Sequence, residues 1–423
     1  MPRRKFLQSV LVAGTASLVL PARLFGSEAP NSTIRVAQIG CGRHGRSNMT
    51  NILAVADRFN VRVVAVCDVD RRRARNAVEH VVERQEGGDA PEAYQDFREV
   101  LERPDIDAVV IATPDHSHAL VALAAVRAGK DVYLEKPLTY GIQEGRALVE
   151  ATREHERVLQ VGTQQRSSTR FRRVCELVRS GRIGTIERIS VQLRLHSGTA
   201  DPTPMEVPDN LDYPGWLEPT HGHPYTEERV HPQDGYSSAG WKRISAHSRG
   251  QITNWGTHMV DIALWGLGLD ERAAFTVNAE AEFPDRGLFD THTELAAELV
   301  LEKGPVMSIN TDSSAPPGIR FEGSDGWAEV TRQHFDASDR ALLRPPEDGD
   351  RTLAFSEDHY ADWLEAILSR RDPVAPVEAG HHANTMCVAT LAAARGAPGR
   401  ELSWDPEAER FEQAEEANVL LDR

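Results

Sequence analysis

The sequence is poor in cysteine, and its four cysteines are widely spaced. Cys41, Cys67, Cys175 and Cys387 form no C-x-x-C pair and no spacing typical of a metal site. This argues against a disulfide framework and against a cysteine-based metal centre. Cys41 and Cys67 fall near the ends of two neighbouring predicted strands, where a disulfide is conceivable and a pair of buried thiols is favoured.

Positive charge and long apolar runs are also scarce. The chain has 48 lysines and arginines against 64 aspartates and glutamates, a net charge of −16. Such an acidic protein is repelled by nucleic acid and by anionic lipid, so we expect neither as a partner. The apolar stretch Val10 to Leu20 is interrupted by Gly14, Thr15 and Ser17 and is too short to span a bilayer. No membrane span is therefore expected in the mature protein, and a small neutral substrate is the more natural partner.

Residues 1–29 have the pattern of a targeting signal. A basic segment with the pair Arg3 and Arg4 precedes the weakly apolar stretch. It resembles a twin-arginine signal cleaved between Ala22 and Pro30, which predicts export to the periplasm; an uncleaved basic tail or anchor is the alternative. Because that route carries folded proteins, we expect the cofactor to be loaded before export and to stay bound.

A glycine-rich turn follows the first predicted strand, Ile34 to Ile39. Gly40, Gly42 and Gly45 have the spacing G-x-G-x-x-G. In this pattern the first glycine permits a tight turn, the second lets the backbone approach a pyrophosphate, and the third lets the next helix pack closely. A helix from about Arg46 would direct its free N–H groups at the phosphates. The turn therefore predicts a dinucleotide site, and a flavodoxin-like turn is the weaker alternative.

An acidic residue ends the second predicted strand, Val61 to Cys67. Asp68 lies 23 residues after Gly45, where a carboxylate binds a ribose hydroxyl and repels a 2′-phosphate. This favours NAD. The run Arg71 to Arg73 is compatible with the 2′-phosphate of NADP or with a solvated first helical turn, so NADP stays the alternative.

Three further predicted strands, 106–113, 131–134 and 158–162, alternate with helices. This alternation predicts a doubly wound parallel sheet over residues 30–165, and ligands bind such sheets at the carboxyl ends of the strands. Residues at that edge are Thr113, Pro114, Glu135, Lys136 and Gln164. A lysine beside a substrate hydroxyl stabilises the alkoxide that develops as hydride leaves, which we predict for Lys136; a surface lysine in a loop is the alternative.

The pattern changes in residues 166–423. An amphipathic helix and several alternating segments predict a second α/β domain with a large, mostly antiparallel or mixed sheet. Residues 196–248 form a long segment rich in aromatic residues, which we interpret as a substrate wall or a subunit contact. His221, His223 and His231 lie in it, but no acid or thiol completes a metal site, so no metal is predicted.

A helical segment near residue 255 supplies candidate acid–base groups. Asn254, His258 and Asp261 would lie on one face of that helix. A histidine with a pKa near about 6.5 can take a hydroxyl proton at neutral pH, and Asn254 or Asp261 would orient it. A helix-cap histidine is the alternative.

These motifs together resemble the Gfo/Idh/MocA family (glucose-fructose oxidoreductase and inositol dehydrogenase). The residues that carry the resemblance are Gly40-x-Gly42-x-x-Gly45, Asp68, Ala112-Thr113-Pro114-Asp115-x-x-His118, Glu135-Lys136-Pro137, Gly162-Thr163-Gln164-Gln165-Arg166 and Asn254-Trp255-Gly256-Thr257-His258-x-x-Asp261. The resemblance implies an N-terminal Rossmann domain, a C-terminal α/β domain with an open sheet, bound NAD(P), and a homo-oligomer, a dimer or a tetramer. C-terminal helices that pack back on the Rossmann domain are compatible with it.

The resemblance also implies residue roles. Lys136 would be the central catalytic lysine and His258 the acid–base group, while Asn254 replaces an aspartate common in the family. The residues expected at the cofactor are Gly40, Gly42, Arg43, His44, Gly45, Asp68, Thr113, Pro114, His118, Glu135, Lys136 and Gln164. The residues expected at the substrate are Arg166, Tyr225, Trp241 and Asp261.

The sequence thus predicts an exported NAD(P)-dependent oxidoreductase acting on a sugar or polyol. One alternative is a redox-neutral enzyme that cleaves or epimerises a glycoside through transient oxidation by bound NAD. Another is a non-catalytic sugar- or nucleotide-binding protein on the same fold.

Overall fold

Two β-sheets organise the chain. The computed structural model describes residues 33–422 apart from 197, 238–239, 270–271, 303, 313–315, 345–352 and 355. The predicted signal segment lies outside these residues.

The first sheet is parallel, with the strand order β3-β2-β1-β4-β5-β6. Its strands are β1 (Ile34–Ile39), β2 (Val61–Cys67), β3 (Glu92–Tyr94), β4 (Ala108–Ile111), β5 (Asp131–Leu134) and β6 (Leu159–Val161). Its helices are α1 (Arg43–Ala54), α2 (Ala56–Phe59), α3 (Arg71–Val82), α4 (Phe97–Glu102), α5 (His118–Arg127) and α6 (Ile142–Glu154). The central strands are apolar because helices cover both faces of the sheet. The edge strand β3 was not predicted, since it has three residues and no apolar run.

The second sheet is mixed, with the order β13-β12-β11-β7-β10-β9-β8-β14-β15, and β7 and β10 are its parallel pair. Its strands are β7 (Ile186–Leu193), β8 (Phe275–Glu282), β9 (Glu294–Leu301), β10 (Val306–Thr311), β11 (Gly318–Gly323), β12 (Gly326–Thr331), β13 (Phe335–Ala337), β14 (Leu402–Asp405) and β15 (Arg410–Phe411). The prediction of a Rossmann domain followed by an α/β domain with a large, mostly antiparallel sheet is confirmed. It missed β12 to β15.

Seven further α-helices are described after β6. They are α7 (Thr169–Arg179), α8 (Tyr213–Leu217), α9 (Glu227–Val230), α10 (Thr257–Leu267), α11 (His359–Ser369), α12 (Val377–Gly396) and α13 (Glu415–Asn418). Although α11 is remote in sequence, its Tyr360 and Trp363 join the core formed by Val36, Val63 and Val110 of the parallel sheet. In the part of the chain that the structure describes, no helix is both long enough and apolar enough to cross a membrane.

Candidate active site

A cleft runs along the carboxyl ends of the parallel strands. Its volume is about 1340 Å³, including the part open to solvent. The lining residues from the predicted cofactor set are Gly40, Gly42, Arg43, His44, Asp68, Thr113, Pro114, His118, Glu135 and Lys136. The 196–248 segment contributes Gly215, Trp216, Glu218, Val230, His231, Ser237, Trp241 and Lys242. The edge predicted for ligands is therefore a cleft closed on one side by this segment.

The glycine turn has the geometry that a pyrophosphate requires. Gly40 has φ +85°, and a Cβ atom there would lie 2.6 Å from the Ala112 carbonyl oxygen. A Cβ atom on Gly45 would lie 1.9 Å from the Gly40 oxygen, so the helix packs directly on the turn. Helix α1 begins at Arg43, earlier than predicted, and no described side chain caps its first N–H groups. These donors fit a dinucleotide phosphate.

Asp68 is held firmly at the end of β2. Its carboxylate accepts hydrogen bonds from the N–H of Cys41 (2.7 Å) and of Asp70 (2.9 Å). An acid fixed in the cleft fits a ribose hydroxyl. Cys41 and Cys67, which flank it, are buried free thiols.

Arg73 lies in the cleft, although it is not among the site residues predicted from the sequence. It is 8% exposed, and its guanidinium carbon lies 5.2 Å from the centre of the Tyr236 ring. It lines the cleft close to Gly42. Of the run Arg71 to Arg73, Arg71 is exposed and Arg73 is the buried member that lines the cleft.

Lys136 follows β5 and points at the 250s segment. Its Nζ donates to the main-chain oxygen (2.9 Å) and to the side-chain Oδ1 (2.8 Å) of Asn254. Burial and, next, the charge of Lys242 lower the pKa of Lys136 to about 8. Because both acceptors on Asn254 are uncharged, they orient the ammonium without supplying a counter-charge.

Glu135 lies behind the lysine. It accepts hydrogen bonds from Asn48 Nδ2 (3.3 Å) and Gln164 Nε2 (3.2 Å), and burial raises its pKa. Gln164 also donates to the Tyr133 hydroxyl and does not line the cleft. The structure therefore places Gln164 as a support for Glu135, and a cofactor contact of its own stays a prediction.

His118 ties together two loops at the sheet edge. Its Nδ1 lies 2.7 Å from the Pro137 carbonyl oxygen and its Nε2 lies 3.0 Å from that of Thr113. Both ring nitrogens therefore face main-chain oxygens. This arrangement fixes the loop that carries Lys136 relative to the loop after β4.

His258 is buried beside the cleft, four residues after Asn254. Its Nε2 lies 3.3 Å from Nη2 of Arg332, while its Nδ1 has no hydrogen-bond partner among the described residues. A guanidinium only donates, so Nε2 is the acceptor and the ring is neutral. Burial, then the charges of Lys136 and Arg332, lower the pKa of His258 well below its ordinary value.

The predicted orientation of His258 by Asn254 or Asp261 is wrong. Residues 252–256 form a π-helical turn before α10, which breaks the regular spacing assumed for that face. Asn254 binds Lys136, and Asp261 binds Arg166 through contacts of 2.7 to 3.0 Å. The hydrogen-bond partner of His258 is Arg332, which the sequence did not indicate.

Arg166 and Asp261 form a buried ion pair that joins the end of β6 to α10. They are 3% and 1% exposed, and Arg166 also donates to the Val374 carbonyl. Neither lines the cleft, and neither does Tyr225, which is buried. Of the predicted substrate residues, Trp241 is the one that lines the cleft.

The 196–248 segment builds a small core of its own. Leu211, Tyr213, Trp216, Tyr225 and Val230 cluster together, and Trp216 and Trp241 also line the cleft. Its histidines do not meet at a metal site in the part of the chain that is described.

This segment, here called the strap, is anchored to the nucleotide-binding half at Asp70. The carboxylate of Asp70 lies 3.0 Å from His231 Nε2 and accepts from Asn210 Nδ2 at 2.7 Å. Burial opposes its ionisation, yet these hydrogen bonds hold the pKa of Asp70 below its ordinary value. Glu218 of the strap also pairs with Arg98 at 2.7 Å. The strap is thus anchored close to Asp68, where it forms one side of the cleft.

Comparison with known proteins identifies two matching family models. An oxidoreductase family described as an NAD-binding Rossmann fold matches residues 34–163, and the C-terminal α/β domain of the same family matches residues 193–423. Residues 34–163 are therefore an NAD-binding Rossmann domain.

Curated relatives include inositol dehydrogenases. The chain is 29% identical to inositol 2-dehydrogenase 2 of Saccharopolyspora erythraea over 69% of this chain and 69% of that protein. It is 31% identical to inositol 2-dehydrogenase of Burkholderia multivorans over 42% of this chain and 51% of that protein. The chain spans about half the length of several curated relatives that it matches, one of which is named only as an uncharacterized oxidoreductase.

Solved structures share the fold. The WlbA dehydrogenase of Bordetella pertussis, in complex with NADH and UDP-GlcNAcA, has a TM-score of 0.64 at 20% identity, covering 86% of this chain and 97% of that one. The aldose-aldose oxidoreductase of Caulobacter crescentus has a TM-score of 0.64 at 19% identity, covering 88% and 99%.

Proposed function

The chain belongs to the Gfo/Idh/MocA oxidoreductase family, and from this premise we propose that it transfers hydride between a retained NAD and a CH–OH carbon of a sugar or polyol. The observation that carries the proposal is Lys136, whose Nζ is fixed by two oxygens of Asn254 at the edge of the dinucleotide cleft. Relatives named inositol dehydrogenases support a polyhydroxy substrate.

NAD supplies the hydride acceptor or donor when it is bound. Lys136 handles the proton. Two of the tetrahedral positions around its Nζ are taken by N–H bonds to Asn254, which leaves one position for the substrate oxygen. Neutral Lys136 presents a lone pair there and accepts the hydroxyl proton during oxidation; the ammonium returns it during reduction. A pKa of about 8 suits both directions near neutral pH.

His258 has a different role in this proposal from the one predicted for it. Its pKa is lowered well below the ordinary value, and its lone pair is directed at Arg332. A neutral imidazole beside a cationic lysine is a weak proton acceptor. We therefore assign proton transfer to Lys136, and we assign to His258 the positioning of Arg332.

The test is Lys136→Met in the full chain. Lost proton transfer should reduce turnover by at least about 10²-fold, while NAD recovered from the denatured protein stays stoichiometric. Turnover close to wild type would refute the assignment. Tight sugar binding by the wild type with no chemistry on any sugar would favour the non-catalytic alternative.

The strap favours a second candidate, the redox-neutral reaction. A cofactor covered by the strap exchanges slowly, and a cycle that oxidises and then re-reduces the sugar needs no exchange. Release of a sugar from a glycoside, or its epimerisation, with the NAD remaining oxidised would support this candidate. Accumulation of one equivalent of NADH per site would support net oxidation.

We also propose export by the twin-arginine route, supported by Arg3 and Arg4 before the weakly apolar stretch. Replacing both arginines with lysine should retain the protein in the cytoplasm. Fractionation of cells that express the two forms tests this. A homo-oligomer likewise stays a prediction, to be tested by light scattering.

A further inference from the structure

Two arginines stack on one tryptophan next to the candidate active site. The guanidinium carbon of Arg332 lies 4.6 Å from the centre of the Trp255 ring, and that of Arg194 lies 5.7 Å from it. Trp255 follows Asn254, which accepts a hydrogen bond from Lys136. The centre of the Trp255 ring is 6.0 Å from that of the His258 ring. The cluster therefore adjoins the position assigned to the reacting oxygen.

The sheet topology brings these arginines together. Arg194 directly follows β7, and Arg332 directly follows β12. Both strands are antiparallel to β11, which lies between them, so they run in the same direction and end at the same edge. Both side chains are exposed there in the described structure.

Neither guanidinium has an acidic partner in the part of the chain that the structure describes. Arg332 contacts His258 and Trp255, and Arg194 contacts Trp255. Glu135 acts on Arg332 only as a more distant charge, and burial raises the pKa of that carboxyl. Two like charges on one ring repel each other, so an added anion would be stabilised by both.

These two arginines are additional to the arginine expected beside the dinucleotide phosphates. Arg43 stands at the start of α1, where phosphates are expected, whereas Arg194 and Arg332 belong to the second sheet. Lys242 lines the cleft as a further cation. In a protein with a net charge of −16, two cations without an acidic partner among the described residues at one edge of the second sheet, with Lys242 lining the cleft as well, favour a negatively charged ligand.

We propose that the substrate is an anionic sugar, such as a uronate or another sugar acid, whose carboxylate binds Arg332 and Arg194 while its reacting hydroxyl lies at Lys136. This inference rests on the proposed function, and it replaces the neutral substrate expected from composition. Trp255 and His258 act as positioning residues that hold the Arg332 fork. A planar fork suits a bidentate carboxylate contact.

The test compares D-glucuronate with D-glucose, which differ at C6, by calorimetric titration of the NAD-loaded full chain. We expect glucuronate to bind about 10- to 100-fold more tightly than glucose, the range of a charge-assisted contact. Arg332→Gln and Arg194→Gln should each remove most of this preference, and Arg332→Lys should restore only part of it. The matched control is Arg127→Gln, an exposed arginine at the end of α5.

Equal affinity for the two sugars, or a preference that survives Arg332→Gln, would overturn the proposal. The outcome is separable from that for hydride transfer. Glucuronate binding that depends on Arg332, with turnover unaffected by Lys136→Met, would keep the anion site and remove the proposed reaction. Turnover of neutral sugars that depends on Lys136 but not on Arg332 would keep the proposed reaction and remove the anion site.

Discussion

Asn254 stands where the resemblance to the family implies an aspartate, and its structural role is to bind Lys136. The amide binds Lys136 at 2.8 Å and makes no hydrogen bond to His258. An amide orients a lysine as well as a carboxylate does, but it adds no negative charge. The pKa of Lys136 is therefore free to fall to about 8 under the influence of burial and of Lys242.

Asn254→Asp should raise the pKa of Lys136, because a carboxylate at 2.8 Å stabilises the ammonium. Oxidation needs the neutral amine, so kcat/KM rises with pH through this pKa. We expect the midpoint of that limb to move from about pH 8 upward by about one pH unit or more in the variant. The measurement is a pH profile of NADH formation.

Asn254→Ala is the control for this prediction. It removes the orienting oxygen without adding charge, so it should lower the rate without an alkaline shift. If the pH profile of Asn254→Asp were unchanged, the rise of kcat/KM with pH would have to be assigned to a group other than Lys136.

Helix α10 takes its position from a contact at the far side of the site. Asp261, three residues after His258, pairs with Arg166, and this pair joins α10 to the segment that follows β6. Such a pair contributes little net free energy of folding, but loss of one partner leaves a buried charge without compensation. The pair thus fixes where His258 lies relative to the parallel sheet.

Asp261→Ala should lower the free energy of unfolding by about 3 to 5 kcal/mol, measured by urea denaturation. Glu415→Ala is the control, because the Arg410–Glu415 pair is exposed and should contribute less than about 1 kcal/mol. Equal effects of the two substitutions would show that the buried pair is not stabilising α10.

The strap is a second element whose role can be tested. His231→Ala removes its contact with Asp70, and we expect bound NAD to dissociate about 10- to 100-fold faster. The measurement is the rate at which labelled NAD leaves the protein. His221→Ala provides the control, since His221 is in the same segment and exposed; a similar effect in both variants would argue against the strap.

At the scale of the whole molecule, one hydrophobic core contains residues from both the N-terminal and the C-terminal parts of the sequence. Trp363 of α11 is fully buried against strands of the parallel sheet, although more than half of the chain separates them. The nucleotide-binding domain is therefore incomplete without residues near the C-terminus. In the folded structure this domain includes α11, which lies outside residues 30–165 of the sequence.

Trp363→Ala should destabilise the protein by about 3 to 5 kcal/mol, the range for a large buried aromatic side chain. NAD release and loss of far-UV circular dichroism should move to lower urea concentration together. Leu368→Ala, in the same helix but 39% exposed, should change the midpoint little. NAD retention that outlasts the rest of the fold would contradict a shared core.

The nucleotide half was predictable because its signals are local. Apolar runs of four to seven residues mark β1, β2, β4 and β5, and each loop after a strand must lie at one edge of a parallel sheet. Gly40, Asp68 and Lys136 could therefore be placed together from spacing alone. Strands β12 to β15 could not, because short and partly exposed strands have no distinct pattern.

The sequence by itself thus determined the fold class, the cofactor cleft and the lysine at its edge, since these depend on neighbours in the chain. The tertiary structure alone decided the partners of those residues. Arg332 reaches His258, Asp261 reaches Arg166 and the strap reaches Asp70 across large sequence separations. Such contacts depend on how the helices and strands pack. The net charge of a site likewise depends on which charged residues the packing brings together. Overall composition predicted a neutral substrate, whereas the local arrangement of Arg194 and Arg332 favours an anionic one.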